Sequence, residues 1–232
     1  MAEKQGGERG SGKVSSHSVY TSKEIPPPRD EYWAARRSVA NALRALQEAV
    51  QTTGLSTQDL LSLSEGLNAQ FDTVPKEPRL FGRKDWLAAK QYGGFGVMHT
   101  EVTPIMGPCN PLSPGLSVWF EGDKVYGSVS YGWMYEGVDN IAHGGWVAAV
   151  FDEFMGAAQA LSGKVGMTAS LTTRYHKPTP LNKQLSLVAW LEEHDGRKTI
   201  VKAEMRDGET ITASCDALFV LPGHKNVSHV FD

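Results

Sequence analysis

From His143 to Leu161 the chain reads HGGWVAAVFDEFMGAAQAL, a stretch that predicts a helix with apolar residues on nearly every side. Val147, Val150, Phe151, Phe154, Met155, Ala157, Ala158 and Leu161 leave no polar stripe wide enough for solvent, so the helix is expected to be buried on most sides. Asp152 and Glu153 stand side by side in its middle. Carboxylates are rarely buried unless they are paired or functional. The helix opens on Gly144-Gly145 after His143, where unpaired N–H groups and the helix dipole favour negative charge. An anion-stabilising helix start followed two turns later by an acid is a catalytic layout.

The pattern on both sides of this helix has the period of strands. Leu116 to Phe120 reads as one strand, and Val125, Gly127, Val129, Tyr131 and Trp133 alternate in a second. After Gly163, which ends the helix, Met167–Tyr175 reads as a third. Leu185, Leu187, Ala189 and Leu191 then alternate, as do Val201, Ala203 and Met205, and finally Ile211, Ala213, Cys215, Ala217 and Phe219. Asp195-Gly196 and Asp207-Gly208 separate these runs and are strong hairpin signals. The expected fold is α+β: a curved antiparallel sheet wrapped around one buried helix.

The N-terminal part is organised differently. Residues 1–30 are rich in Gly, Ser, Lys and Glu, end near three prolines, and read as a disordered tail or an added leader, with a strap near the triple proline as the alternative. Residues 31–114 read as a helical and loop-rich extension, ahead of a main domain over 115–223. Val39, Leu43, Leu46 and Val50 predict the inward face of a helix over 31–51, and Trp33 and Ala40 broaden that face. Ser56 with Asp59 predicts the capped start of a second helix through Leu60, Leu61, Leu63 and Leu67. The pair is expected to pack on the main domain or to cover a dimer. A short helix is expected around Lys84–Lys90. The basic residues Arg79, Arg83, Lys84 and Lys90 suit either phosphate groups or a solvated face. Gly93-Gly94-Phe95-Gly96 follows no predicted strand and is no dinucleotide fingerprint.

Composition excludes several classes. The chain has 232 residues, a hydrophobic fraction of 41% and a formal net charge of -3, which gives no footing for nucleic acid or an anionic membrane. Its two cysteines, Cys109 and Cys215, are too far apart for a zinc motif and read as small buried residues. There is no run of about 18 apolar residues to cross a bilayer. The N-terminus lacks the apolar core of a secretory signal, and the cytoplasm is the expected location.

His143-Gly144-Gly145, then Asp152, then Gly166-Met167-Thr168-Ala169-Ser170-Leu171, then Tyr175 and Pro178 resemble the hotdog-fold acyl-CoA thioesterases, in particular the phenylacetic-acid-degradation-type branch. The resemblance covers about residues 115–222. It implies hydrolysis of an acyl-CoA thioester, with no metal or organic cofactor, in fatty acid metabolism. It also implies a homo-oligomer, a dimer or a dimer of dimers, with the acid of one subunit facing the helix start of the other. Gly144 and Gly145 are the expected donors to the oxyanion, where each N–H is worth about 3 kcal/mol. Asp152 is the expected base or nucleophile, with Glu153 its competitor. Thr168 matches the hydroxyl that orients the acid or the water, and His143 the residue that fixes the loop. Asn140 and Trp146 are expected beside the substrate, Trp146 narrowing the acyl site. Arg174 and Lys177 are expected near the CoA phosphates. The carrier is either CoA or an acyl-carrier protein.

Two rivals remain in view. Hotdog dehydratases also act on acyl thioesters, but their Asp/His pair sits in a different motif. A non-catalytic acyl-CoA sensor has no need of Asp152 and Thr168, and residues 31–68 carry no basic recognition helix. A Ser/His/Asp hydrolase is disfavoured because no serine stands in a nucleophile-elbow setting.

Overall fold

The computed structural model describes residues 22–77, 82–89 and 100–222. The first 21 residues, the Gly93–Gly96 loop, Gly223 and the side chains of Arg79, Arg83, Lys84 and Lys90 lie outside the described residues. Three helices come first: α1 (Glu31–Thr52), α2 (Thr57–Thr73) and α3 (Gly82–Ala89). Two strands, β1 (Ser117–Glu121) and β2 (Lys124–Ser130), lead through a 3-10 turn at Trp133–Tyr135 to a small hairpin of β3 (Glu136–Val138) and β4 (Ile141–Ala142). The central helix α4 (Gly144–Ala158) follows, and then β5 (Met167–Tyr175), β6 (Gln184–Asp195), β7 (Lys198–Asp207) and β8 (Thr210–Val220).

The six long strands form one sheet in the order β1-β2-β6-β7-β8-β5, and every pairing is antiparallel. Helix α4 lies across β2, β6, β7, β8 and β5. This is the expected α+β hotdog architecture. Alternation decides which strand residues meet the helix: Val125 and Val129, Leu185 and Leu187, Val201 and Ala203, Ala213 and Cys215 all point into the core. From the helix, Val147, Val150, Phe151, Phe154, Met155 and Ala158 fill the same space, at the 3–4–3 spacing of one helical face. The Asp-Gly turns work as predicted, with Gly196 at φ 54° and Gly208 at φ 57°, where only glycine sits without strain.

Contact across the core is tight at Gly127. A Cβ there would stand 2.9 Å from Phe154 Cε2 and 3.0 Å from the Ser117 carbonyl oxygen. Gly127→Ala is therefore expected to destabilise the fold by about 1–3 kcal/mol through overpacking, read as a lowered urea midpoint.

The helix is not apolar all the way round. Gly145 and Asp152 are exposed, and the small residues Ala148, Ala149 and Gly156 lie only half covered on the same side. The expectation of a helix buried on most sides does not extend to the acids in the single chain: Asp152 is open to solvent and Glu153 is half-buried. Strand β5 is an edge strand with Met167 and Tyr175 more than half exposed.

The N-terminal helices dock by only part of their apolar pattern. Helix α1 buries Trp33 and Ala40 and leaves Val39, Leu43 and Val50 exposed. Polar groups hold it down. Arg37 makes a bidentate pair with Glu101 at 2.6 and 2.9 Å. Arg44 donates to the carbonyls of Asn110 and Pro108, and Gln51 Nε2 to the carbonyl of Trp133. Helix α2 has its capping box, Ser56 with Asp59, as the sequence predicts, yet buries no residue. Residues 22–26 are not a loose tail: Ser22 bridges Val118, Lys23 reaches Glu121 at 2.9 Å, and the Pro26 carbonyl accepts from Arg37.

Candidate active site

The start of α4 is set by His143, which serves as its N-cap. The His143 Nδ1 accepts from the Gly145 N–H at 3.0 Å. The His143 carbonyl accepts from the N–H groups of Trp146 and Val147, at 2.9 and 3.3 Å. Among the described residues, Gly144 N–H is left with no acceptor, although helix starts leave several donors open. Of the two glycine donors expected from the sequence, the one at Gly145 is therefore occupied and the one at Gly144 is open.

The next peptide is held from the sheet. Tyr175, the last residue of β5, donates its hydroxyl to the Gly144 carbonyl at 2.7 Å. Its ring lies so close that a Cβ on residue 144 would stand 3.2 Å from the ring's Cζ. Two turns on, Asp152 Oδ1 accepts from the Thr168 hydroxyl at 2.8 Å, and Oδ2 has no partner among the described residues. The pairing of β5 with β8 shifts register between Thr168 and Ser170. Such a bulge turns the strand by one residue, so Thr168 faces the helix together with Thr173 and Tyr175 further along. Thr173 meets the buried Cys215, which fixes that face as the inner one.

The other expected residues are placed as follows. Arg174 faces the opposite side of the sheet and pairs with Asp216, which raises the pKa of its guanidinium; it is not free for phosphate in the chain as it stands. Lys177 lies just past β5 and is exposed. Asn140 is at the tip of the β3–β4 hairpin with φ 62°, its N–H donating to the Glu136 carboxylate at 2.6 Å, so its placement is that of a turn former. Trp146 is half-buried and meets Tyr135 edge to face, with centroids 5.1 Å apart. Tyr135 in turn meets Tyr131 at 5.8 Å. Burial pushes both phenols up, that of Tyr135 to about 12, so this wall is neutral across ordinary pH. Among the described residues no three His, Cys, Asp or Glu side chains converge as metal ligands would, and no helix is long and apolar enough to cross a membrane.

In the sequence Tyr175 is a residue of the thioesterase-like motif, and its contact with Gly144 is not legible there. Its residue type is apparent, but the direction of its hydroxyl depends on the bulge.

Comparison with known proteins bears on the same segment. A solved thioesterase superfamily protein is 31% identical, aligns over 84% of this chain and 97% of its own, and superposes with a TM-score of 0.67. The chain belongs to the thioesterase superfamily. The family model described as Thioesterase superfamily matches residues 139–214, which hold every candidate site residue from Asn140 to Lys177. Acyl-coenzyme A thioesterase THEM4 of Mus musculus is 34% identical over 87 residues, 37% of each chain. The protein of that name from Xenopus laevis is 35% identical over 88 residues, 37% of this chain and 39% of its own. The chain thus matches little more than a third of the length of these curated relatives. For a thioesterase superfamily member, the segment shared with THEM4 is short, whereas the likeness to the solved structure runs into the N-terminal helices.

Proposed function

We propose that this chain hydrolyses acyl-CoA thioesters to the free acid and CoA thiol, in a site completed by a second copy of the chain. One observation carries the reading. The open Gly144 N–H and the Thr168-held Asp152 carboxylate lie on the same helix eight residues apart, about 12 Å along the axis at 1.5 Å per residue. Reacting groups must stand about 3–3.5 Å from one another, so one chain cannot bring both to one carbonyl. Two α4 helices packed antiparallel through their small residues, Gly145, Ala149 and Gly156, set each acid against the partner's helix start. The exposed edge of β5 supports this, because two such edges join sheets that would otherwise end in unpaired backbone.

In that site Asp152 acts as general base. Its open Oδ2 takes a proton from water while Thr168 fixes the carboxylate and accepts from the same water. The hydroxide so formed attacks the thioester carbon, and negative charge grows on the carbonyl oxygen. Gly144 N–H meets that charge at the positive end of the helix. The tetrahedral intermediate collapses by breaking the C–S bond, and the proton held by Asp152 passes to the departing thiolate, which restores the carboxylate. Trp146 borders the acyl group, and Lys177 lies on the side of the CoA phosphates. The nine-residue step from His143 to Asp152 favours the phenylacetic-acid-degradation-type branch. The names of the THEM4 relatives support CoA as the carrier.

The test is thiol release from a panel of acyl-CoAs, from acetyl to palmitoyl with phenylacetyl and benzoyl, by wild type and Asp152→Asn. Release by wild type that the variant loses upholds the reading. Binding of acyl-CoA with no release from any substrate overturns it in favour of a sensor.

A further inference from the structure

We infer that Tyr175 is a positioning residue for the oxyanion donor, acting through the Gly144 peptide; this rests on the thioesterase reading above. Two consecutive glycines at a helix start have the widest backbone freedom a chain can offer. The donor that matters, Gly144 N–H, belongs to the planar peptide whose carbonyl is that of His143, and the peptide after it is joined to it at the Gly144 Cα. The first is held by its carbonyl, which accepts from the Trp146 and Val147 N–H groups. The one after it is gripped at both ends. Its carbonyl takes the Tyr175 hydroxyl at 2.7 Å, and its N–H goes to His143 Nδ1 at 3.0 Å. Neither partner touches Gly144 N–H itself, which stays open for substrate.

The Tyr175 hydroxyl is the only one of these holds that comes from outside the helix and its cap. It anchors a glycine-rich turn to a sheet strand. The ring also explains why residue 144 has no side chain: a Cβ there would stand 3.2 Å from the Tyr175 hydroxyl oxygen and Cζ. The same strand carries Thr168, which holds Asp152 at 2.8 Å. In the two-copy site the acid and the amide of one site come from different chains. Each β5 therefore steadies the acid of one site with Thr168 and the amide of the other with Tyr175.

Tyr175→Phe removes one oxygen atom and keeps the ring. The expected result is a fall in kcat for thiol release of roughly tenfold, the net worth of one hydrogen bond. KM should stay within about twofold and the melting temperature within about two degrees, since Tyr175 is half exposed. Activity is measured at two protein concentrations, so that loss of assembly is separated from loss of turnover. A second readout is independent of turnover: the Gly144 amide, followed by 15N NMR, should exchange with solvent faster or broaden in the variant. Equal kcat and an unchanged Gly144 amide overturn the inference while leaving the thioesterase reading intact. A loss explained wholly by KM, melting temperature or assembly overturns it as well, because a structural role moves those quantities. A wild type that releases no thiol overturns both readings together.

Discussion

Asp152→Asn is expected to lower kcat for thiol release by about 10²–10⁴, the usual contribution of a positioned general base. The substitution is close to isosteric. The amide oxygen still accepts from Thr168, so the side chain stays where the 2.8 Å hydrogen bond puts it. Asp152 is exposed in the single chain and no basic residue among the described residues pairs with it, so its neutralisation costs the fold little. KM and the melting temperature should therefore stay near the wild-type values, while the proton acceptor is gone. This split separates loss of chemistry from loss of structure. Thiol release by the variant within threefold of wild type would move the base role to Glu153, which lies about 100° further round the helix.

Arg37→Ala should destabilise the protein by about 3–5 kcal/mol, the typical result of removing one partner of a buried ion pair. The side chains of Arg37 and Glu101 are only 13% and 5% exposed. Without the guanidinium, Glu101 keeps a charge that the surrounding protein does not solvate. Among the described residues its remaining side-chain partner is the thiol of Cys109 at 3.2 Å, which is protonated: burial, and then the Glu101 carboxylate, push that thiol up to about 12. Arg37 also donates to the Pro26 carbonyl, so the strap over 22–26 loosens along with α1. The measurement is the urea midpoint at constant m. The double variant Arg37→Leu, Glu101→Leu should regain most of the loss, since a buried pair is often replaceable by apolar residues of similar size. A loss below about 1 kcal/mol for the single variant would mean that Trp33 and Ala40 alone dock the helix.

That pair marks the limit of what the pattern of apolar residues reveals. The inner face of α4, the alternating strands β6 to β8 and their Asp-Gly turns were legible because each follows one local period. The face by which α1 docks was legible only in Trp33 and Ala40, and the polar groups that hold the helix were not. The stripe Val39, Leu43, Leu46 and Val50 has the right spacing, yet Arg37, Arg44 and Gln51 attach the helix to groups 64 to 82 residues away. Periodicity sees only apolar side chains and has no view of such partners.

The candidate site divides in the same way. His143, Gly144, Asp152 and Thr168 were legible by type and spacing, and the structure brings Thr168 to Asp152 and His143 to Gly145. The exposure of Asp152 was not legible, because it follows from the smallness of its neighbours on the helix rather than from the helix being apolar. The pairing of Arg174 with Asp216 was not legible, since charge alone does not tell which side of a strand a residue faces. The bulge at Thr168–Ser170 decides that, and it also directs Tyr175 to the helix start.

Helix α2 has a consequence for how the molecule breathes. It is 17 residues long, buries nothing, and exposes Leu60, Leu61, Leu67 and Phe71. Among the described residues a helix of that length is held by its capping box, its own hydrogen bonds and the exposed Lys76, which reaches Asp72 and the Phe71 ring, and it opens with little free energy, whereas α4 opens only with the core. In hydrogen–deuterium exchange the amides of α2 are expected to lose protection at least about 10³ times faster than those of Val150 to Ala158. Comparable protection in the two helices would mean that another surface covers α2 in solution. Isotope uptake along residues 57–73 is therefore a gauge of occupancy: the slower it runs, the more of that leucine face is in contact with something.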